Sequence, residues 1–395
     1  ASRRALNRPT VTVARCLPIL MWKSCSQQVS EYIFRQIATN LPNTFVEISD
    51  DGGFAESMEY WNYGVGNLIA SVASFEECIA PGKTLPDCLN FALQANFAQT
   101  PDHVIYYDGA TKCFNYNASP CGRVSSPAFL RIADRYDQPQ YAWYELTKNQ
   151  SDPSMLYGGM DACVAIVYYN PEKVSSADFV LDKFYKNDRQ YGPNGISMRS
   201  SWDRETMLFA AMQGGDNETF HAYNGLGTFV LDWEGERFAL LTGKDSVSNT
   251  YTIESGYDGE GTDYYYRRTE GNNTITINPD AGPGQKNDGF AVLLDSDSAE
   301  NGSYGILDMT RTRDDLNKHH RGMMMTNNRT RIVMQDEIST KVPSEVYWFM
   351  HTPAKIEIVD SRSASCGQLL LAVKLRELKE KGLDFYAVKE KIAEF

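Results

Sequence analysis

The hydrophobic period of this chain changes once, near residues 185–200, and that change sets which folds are open to it. Upstream, apolar residues recur at helical spacing. In 26–41, Val29, Ile33, Ile37 and Leu41 fall on one face, with Tyr32 beside them. Residues 65–79 and 87–98 have similar spacing, and the apolar run 155–169 could form another helix. Residues 127–147 read as a Pro-started helix, a break at Asp137-Gln138-Pro139, and a second helix. Downstream, the period falls to two. Residues 227–242 predict a hairpin around Glu234-Gly235. Short β-like runs follow at 273–278, 289–293, 303–308, 329–334 and 345–350, each bounded by Gly, Asn, Asp or Pro. Residues 367–395 return to helical spacing, through Leu375, Leu378, Phe385, Val388 and Ile392, with Gly382 weakening the middle.

A chain of 395 residues exceeds what one hydrophobic core usually serves. An α+β, two-domain protein is therefore expected. A helical domain covers 1–188, and an antiparallel β-sandwich domain covers 195–395 and carries the C-terminal helical tail. Residues 185–195, YKNDRQYGPNG, read as the linker.

Charge and composition narrow the partners. The net charge is −13, from 38 basic and 51 acidic residues, and no basic run interleaves with aromatics, which argues against nucleic acid. A polyanionic sugar stays open, because the field inside a cleft is local. No apolar run reaches the length of a membrane span. The start, Ala-Ser-Arg-Arg-Ala-Leu, lacks the apolar stretch of a signal peptide. Nucleotide-binding loops and the Gly-x-Ser-x-Gly elbow are missing, so no cofactor is expected. The eight cysteines form no Cys-x-x-Cys pair; Cys78/Cys88 and Cys113/Cys121 could each close a short loop or stay as thiols. Asn-x-Ser/Thr sequons begin at Asn117, Asn149, Asn217, Asn272, Asn301 and Asn328.

Three clusters carry residues suited to chemistry. The first, 50–64, joins Asp50, Asp51 and two glycines to Glu56, Tyr60, Trp61 and Tyr63. Tyr60 and Tyr63 share a face if the segment is helical. A tyrosine serves as a general base when a neighbour or the substrate lowers its pKa. A packed aromatic helix start accounts for the same residues. The second, 214–229, sets His221 in a glycine-rich approach to a strand, suited to proton transfer near neutral pH or to bracing a loop. The third, 264–278, places Arg267 and Arg268 near Asn272 and Asn273. Arginine forks match carboxylate and sulfate groups, although a solvated turn explains them as well. His319, His320, Arg321 and His351 are equally ambiguous.

In this order, the clusters resemble the heparinase II/III-like polysaccharide lyases. DGGFAESMEYWNYG (51–64) resembles that family's toroid motif, and SMRSSWDRETMLFAAMQGG (197–215) the opening of its β-domain. HAYNGLGTFVLDWEGERFALLTG (221–243), EGNNTITIN (270–278), IVMQDEIS (332–339) and VYWFMHT (346–352) continue the match, which covers about 20–355.

The resemblance implies an incomplete α/α toroid followed by an antiparallel β-sandwich, in a secreted or periplasmic lyase that cleaves a uronate-containing acidic glycan by β-elimination. Tyr63 would be base and acid, with Tyr60 as second choice and His221 in support. Glu56, Trp61, Lys23, Asn224, Arg267 and Arg268 would bind an acidic polysaccharide or oligosaccharide. Met21 stands where the family has a polar toroid residue, and Lys23 is the nearby substitute. Tyr223, Leu241 and Asn272 occupy the family's zinc-ligand positions, so no metal is expected. These departures motivate a second reading, a glycan-binding relative without turnover. A third is a hydrolase using Asp50, Asp51 and Glu56, which needs two carboxylates facing each other about 5–9 Å apart. Oligomeric state is left open.

Overall fold

A computed structural model describes residues 27–40, 48–79, 82, 84, 95–119, 122–149, 157–174, 186–192, 195–219, 221–243, 264–280, 284–354, 374–378, 380–383, 387 and 391. Met21, Lys23, the spacing at 87–94, and Phe385, Val388 and Ile392 lie outside them. The chain divides into two compact units, Ala1–Pro353 and Ala354–Phe395.

The first unit opens with helices α1 (Gln27–Asn40), α2 (Met58–Ser74), α3 (Pro101–Tyr106), α4 (Ala128–Arg135), α5 (Pro139–Trp143) and α6 (Gly159–Tyr168). Helix α2 buries Met58, Trp61, Val65, Leu68, Ile69 and Val72, the three-and-four spacing of one helical face. Helices α4 and α5 meet at Asp137, whose φ of 55° makes the break expected before Pro139. Helix α1 departs from expectation, since Val29 is exposed while Ile33 packs on the core.

The β region forms two five-stranded sheets and one two-stranded sheet, and every pairing among the described residues is antiparallel. The first sheet has the order β1 (Asp188–Gln190), β2 (Gly195–Arg199), β3 (Leu208–Gln213), β5 (Phe229–Trp233), β6 (Glu236–Ala239). The second runs β11 (Arg331–Thr340), β10 (Leu316–Thr326), β9 (Gly302–Asp308), β8 (Phe290–Ala299), β4 (Gly215–Asp216). Strands β7 (Ile275–Ile277) and β12 (Val346–Trp348) pair separately. The β5–β6 hairpin turns at Glu234 and Gly235, both at positive φ (48° and 76°), as two-residue hairpin loops require.

Strand β3 shows how the layers stack. Its run LFAAMQ is buried throughout, because both faces of the first sheet are covered. Leu208, Ala210 and Met212 join Leu307, Met323 and Met325 of the second sheet in one core. Phe209 and Ala211 turn the other way, into the core built by Trp61, Tyr107, Phe129 and Ile132 of the helical region. The order is helices, first sheet, second sheet.

Buried ion pairs lock these layers. Asp108 accepts from Tyr144 Oη at 2.6 Å and pairs with Arg123 at 3.2 Å and with Arg204. Burial pushes its carboxyl up, but Arg204 and Arg123 outweigh that and hold it below the usual range. Arg199 of β2 donates to the carbonyls of Tyr106 and Asp108 and stacks 3.7 Å from the Trp202 ring centroid. Asp232 of β5 pairs with Arg237 at 2.6 Å and accepts from the Ala110 amide at 2.9 Å.

Within the expected linker, the described residues 186–192 are instead built into the fold. They contain strand β1, Asp188 pairs with Arg329 at 2.6 Å, and Tyr191 is fully buried. His319 and Arg321 are likewise structural: both bind Asp336, at 2.9 and 2.8 Å, inside the second sheet. Cys113 is a free thiol, so no Cys113–Cys121 loop is closed; burial pushes that thiol up to about 12.

In the second unit, Lys374–Leu378 is helical with Leu378 buried, and Gly382 takes a positive φ of 74°. Among the described residues, no helix is long and apolar enough to cross a membrane.

Candidate active site

The site grows from a tight turn. Ile48 and Phe54 form an antiparallel bridge, and the Ser49 and Gly52 amides donate across the turn to Gly53 and Ser49 carbonyls at 2.9 Å. Gly52 sits at φ 87°, and a Cβ there would meet the Gln99 backbone at 2.9 Å, so the position demands glycine. Asp51 is consumed by this turn: it accepts from Ser49 Oγ at 2.5 Å, Gly53 N at 3.2 Å and Gly192 N at 2.9 Å. The turn delivers Glu56 and the start of α2.

Glu56 is 1% exposed, and its Oε2 lies 2.9 Å from His221 Nδ1. A buried carboxylate on Nδ1 favours the tautomer with its proton there and the lone pair on Nε2. His221 holds a left-handed backbone, φ 61°, which is uncommon for a non-glycine residue. The amide of Ala118 keeps it there by donating to the His221 carbonyl at 3.1 Å. Backbone held in such a region clusters at functional sites.

Tyr60 covers one face of the imidazole, with ring centroids 3.6 Å apart and planes 12° apart. Tyr63 lies one helical turn further along α2 and is 47% exposed. Among the described residues, no hydrogen bond or ring contact joins Tyr63 to His221. The structure thus brings Glu56, Tyr60 and His221 together and leaves Tyr63 at the surface beside them.

Tyr223, two residues past His221, is buried and tilts against Tyr266, with centroids 5.6 Å apart. Arg267 lies over both rings, 5.8 Å from the Tyr223 centroid and 5.9 Å from that of Tyr266. Its Nε is buried without a hydrogen-bond partner, and the side chain makes no salt bridge among the described residues. Burial pushes the Tyr223 phenol well above its usual range; Arg267 opposes this, and Tyr266 and Tyr60 add to it. Arg267, Tyr223, Tyr60 and His221 therefore belong to one neighbourhood.

Other expected site residues sit elsewhere. Trp61 is 0% exposed and donates from Nε1 to Thr100 Oγ1 at 2.9 Å, so its ring serves the core and presents no face to a glycan. Asn224 is buried, with its amide donating to Gln285 O and Asn287 Oδ1, both at 2.9 Å. Arg268 pairs with Glu270 and donates to the Asp280 carbonyl at 2.7 Å. Both hold the loop around the site. Of the carboxylates a hydrolase would need, Asp51 is committed to the turn and Glu56 to His221, whereas Asp50 is exposed.

The three residues that the resemblance matched to zinc-ligand positions are engaged otherwise. Tyr223 packs on Tyr266, Leu241 joins the apolar core, and Asn272 donates to the Arg268 carbonyl at 2.8 Å. Among the described residues, no group of three or more His, Cys, Asp or Glu is arranged to hold a metal.

Sequence reasoning missed the polar residues that assemble the site. Asn117 and Gln213 are both buried and link Glu56, the His221 loop and strand β3. Asn117 stood out only as a sequon, and Gln213 by nothing except its position at the end of an apolar run.

No family model and no curated protein matches the chain. Solved structures do. A mutant of the heparan sulfate lyase HepC from Pedobacter heparinus matches with 13% identity and a TM-score of 0.53, over 82% of this chain and 45% of that one. A heparinase III matches with 16% identity and a TM-score of 0.56, over 84% and 46%. A second heparinase III matches with 14% identity and a TM-score of 0.53, over 90% and 48%. This chain spans about half the length of the solved chains it matches. At these identities the likeness concerns architecture: the chain has a heparinase-like polysaccharide lyase fold, α+β, with helices followed by antiparallel sheets.

Proposed function

We propose that this protein is a polysaccharide lyase that cleaves a uronate-containing acidic glycan by β-elimination, with its helical region forming an incomplete α/α toroid. The observation that carries the reading is the Glu56–His221–Tyr60 stack, with the exposed Tyr63 one turn away on the same helix. The names of the matched structures, heparan sulfate lyase and heparinase III, support the substrate class. Such substrates lie outside the cytoplasm, which fits a secreted or periplasmic protein.

In this mechanism Tyr63, as phenolate, takes the C5 proton of the uronate. The C5–H electron pair becomes the C4–C5 double bond as the C4–O bond breaks. The leaving oxygen receives a proton from the same phenol. Tyr63 fits this role better than Tyr60, whose ring face is already covered by the imidazole. His221, oriented by Glu56, supports the proton transfer.

The substrate carboxylate needs a cation, because C5 becomes acidic only when the enolate-like charge is offset. Arg267 is the candidate among the described residues, having no acidic partner of its own and a planar fork suited to a carboxylate. Lys23 lies outside the described residues.

The test is incubation with a panel of heparan, chondroitin, hyaluronan and alginate, followed by ultraviolet absorbance for the conjugated enoate. The reading requires that at least one glycan gives this product and that Tyr63→Phe loses it. Glycan binding without turnover is the second reading, favoured by Tyr223, Leu241 and Asn272 being engaged in packing and loop hydrogen bonds.

A further inference from the structure

Asn117 sits where three of the segments that shape the site cross. Its Nδ2 donates to the Glu56 carbonyl at 3.0 Å. Its Oδ1 accepts from Gln213 Nε2 at 3.0 Å and from the Tyr223 amide at 3.3 Å. The next residue, Ala118, donates its amide to the His221 carbonyl at 3.1 Å. Asn117 itself is 3% exposed and at φ 57°, a conformation asparagine tolerates better than most residues. The Asn117 side chain thus joins the turn before α2, the end of β3 and the residue two past His221, while the backbone amide of Ala118 holds His221 itself.

Each bond has a direction that only an amide satisfies. A carbonyl at Glu56 needs a donor, while Gln213 Nε2 and the Tyr223 amide need an acceptor. Asparagine supplies both from one short side chain. An aspartate of the same shape keeps the acceptor and turns the donor into a second oxygen facing a carbonyl. The site is buried, so that mismatch cannot be relieved by water.

We infer that Asn117 is a positioning residue that sets the distance and orientation of the Glu56–His221 pair. The inference rests on the proposed lyase reading for its catalytic consequence, but not for its structural one. It also gives the Asn117-Ala118-Ser119 sequence a role incompatible with its match to a glycosylation sequon, since a glycan on Nδ2 would remove the donor and has no room.

The test has two arms on the full chain. In the first, the imidazole ¹⁵N shifts of His221 are recorded in histidine-labelled protein and assigned with His221→Ala. Asn117→Asp and Asn117→Ser are expected to move the Nδ1 resonance while the amide fingerprint stays dispersed. If neither is folded, Gln213→Met, which removes only one donor into Oδ1, is read the same way and is expected to move it less. A His221 Nδ1 signal unchanged from wild type in the folded variants overturns the inference. In the second arm, kcat on a cleaved glycan is expected to fall about 10–100-fold with KM changed by less than about 3-fold, the pattern of lost positioning. Loss confined to KM counts against it. Should no glycan be cleaved by wild type, the lyase reading fails and the first arm alone decides the role of Asn117.

Discussion

His221 Nδ1 meets Glu56 Oε2 at 2.9 Å across 165 residues of sequence, joining a turn in the helical region to a loop of the β region. A sealed carboxylate of this kind orients an imidazole and fixes its tautomer. Glu56→Gln keeps the shape and removes the charge. Lyase turnover is expected to fall by about 10²-fold, mainly in kcat, with the circular dichroism spectrum unchanged. Turnover equal to wild type would mean that the pair is only structural.

The two tyrosines separate by chemistry. Tyr63→Phe is expected to abolish turnover and leave glycan affinity within about 3-fold, because it removes one exposed hydroxyl. Tyr60→Phe keeps the ring stacked on His221 and is expected to retain most activity, whereas Tyr60→Leu loses the stack and is expected to lower it. The reverse ranking would make Tyr60 the proton-transfer group. Steady-state kinetics on one glycan measures all three.

The architecture was readable in the sequence where local and tertiary demands agree. The period change, the Asp137 break and the Glu234-Gly235 hairpin all follow from turn residues and spacing. Strand β10 was hidden because the residues it buries include His319 and Arg321, which look like a solvated basic group until Asp336 of β11 is beside them. Strand β1 was hidden inside a segment whose Gly and Pro suggest a linker; its hold comes from Arg329, 141 residues away. At the site, motif order singled out Tyr60, Tyr63, Glu56 and His221. It misjudged Trp61, Asn224 and Arg268, because residue type cannot tell whether a polar or aromatic group faces a ligand or a neighbour. Asn117 was unreadable for the same reason: its partners lie at residues 56, 213 and 223.

Removing the Asp108 carboxylate is expected to be costly. It faces Arg123 and Arg204 in a buried site, so Asp108→Asn leaves both cations poorly matched. A loss of about 3–5 kcal/mol in unfolding free energy is expected from urea titration. A loss below about 1 kcal/mol would show that the arginines find other partners.

Stability should fall with acidification before the carboxylates titrate. His103 is fully buried, and burial lowers its pKa from 6.5 to about 3. Between those values the unfolded chain binds a proton that the folded chain refuses, so stability drops as pH falls through that window. Asp108 and Asp336, held below their usual range, add losses at lower pH. His103→Phe should flatten the slope of unfolding free energy against pH below 6.5, and an unchanged slope contradicts the assignment.

Glycan occupancy separates buried from exposed sequons. Asn301 and Asn328 lie exposed in the β8–β9 and β10–β11 turns, whereas Asn117, Asn217 and Asn272 are buried with their amides donating to neighbours. Secretion from a glycosylating host is expected to give glycopeptides at Asn301 or Asn328 and none at the buried three. A glycan at Asn117 in folded protein would contradict both this ordering and its positioning role.

Isotope labelling tests elimination most directly. A glycan that wild type depolymerises is digested in heavy-oxygen water, and the fragments are weighed by mass spectrometry. Elimination predicts unsaturated fragments, each cut lighter by one water than hydrolysis would leave it and with no heavy oxygen beyond the exchangeable reducing-end hydroxyl, and no fragments from Tyr63→Phe. Saturated fragments with heavy oxygen at the new end, or equal yields from Tyr63→Phe, would contradict it.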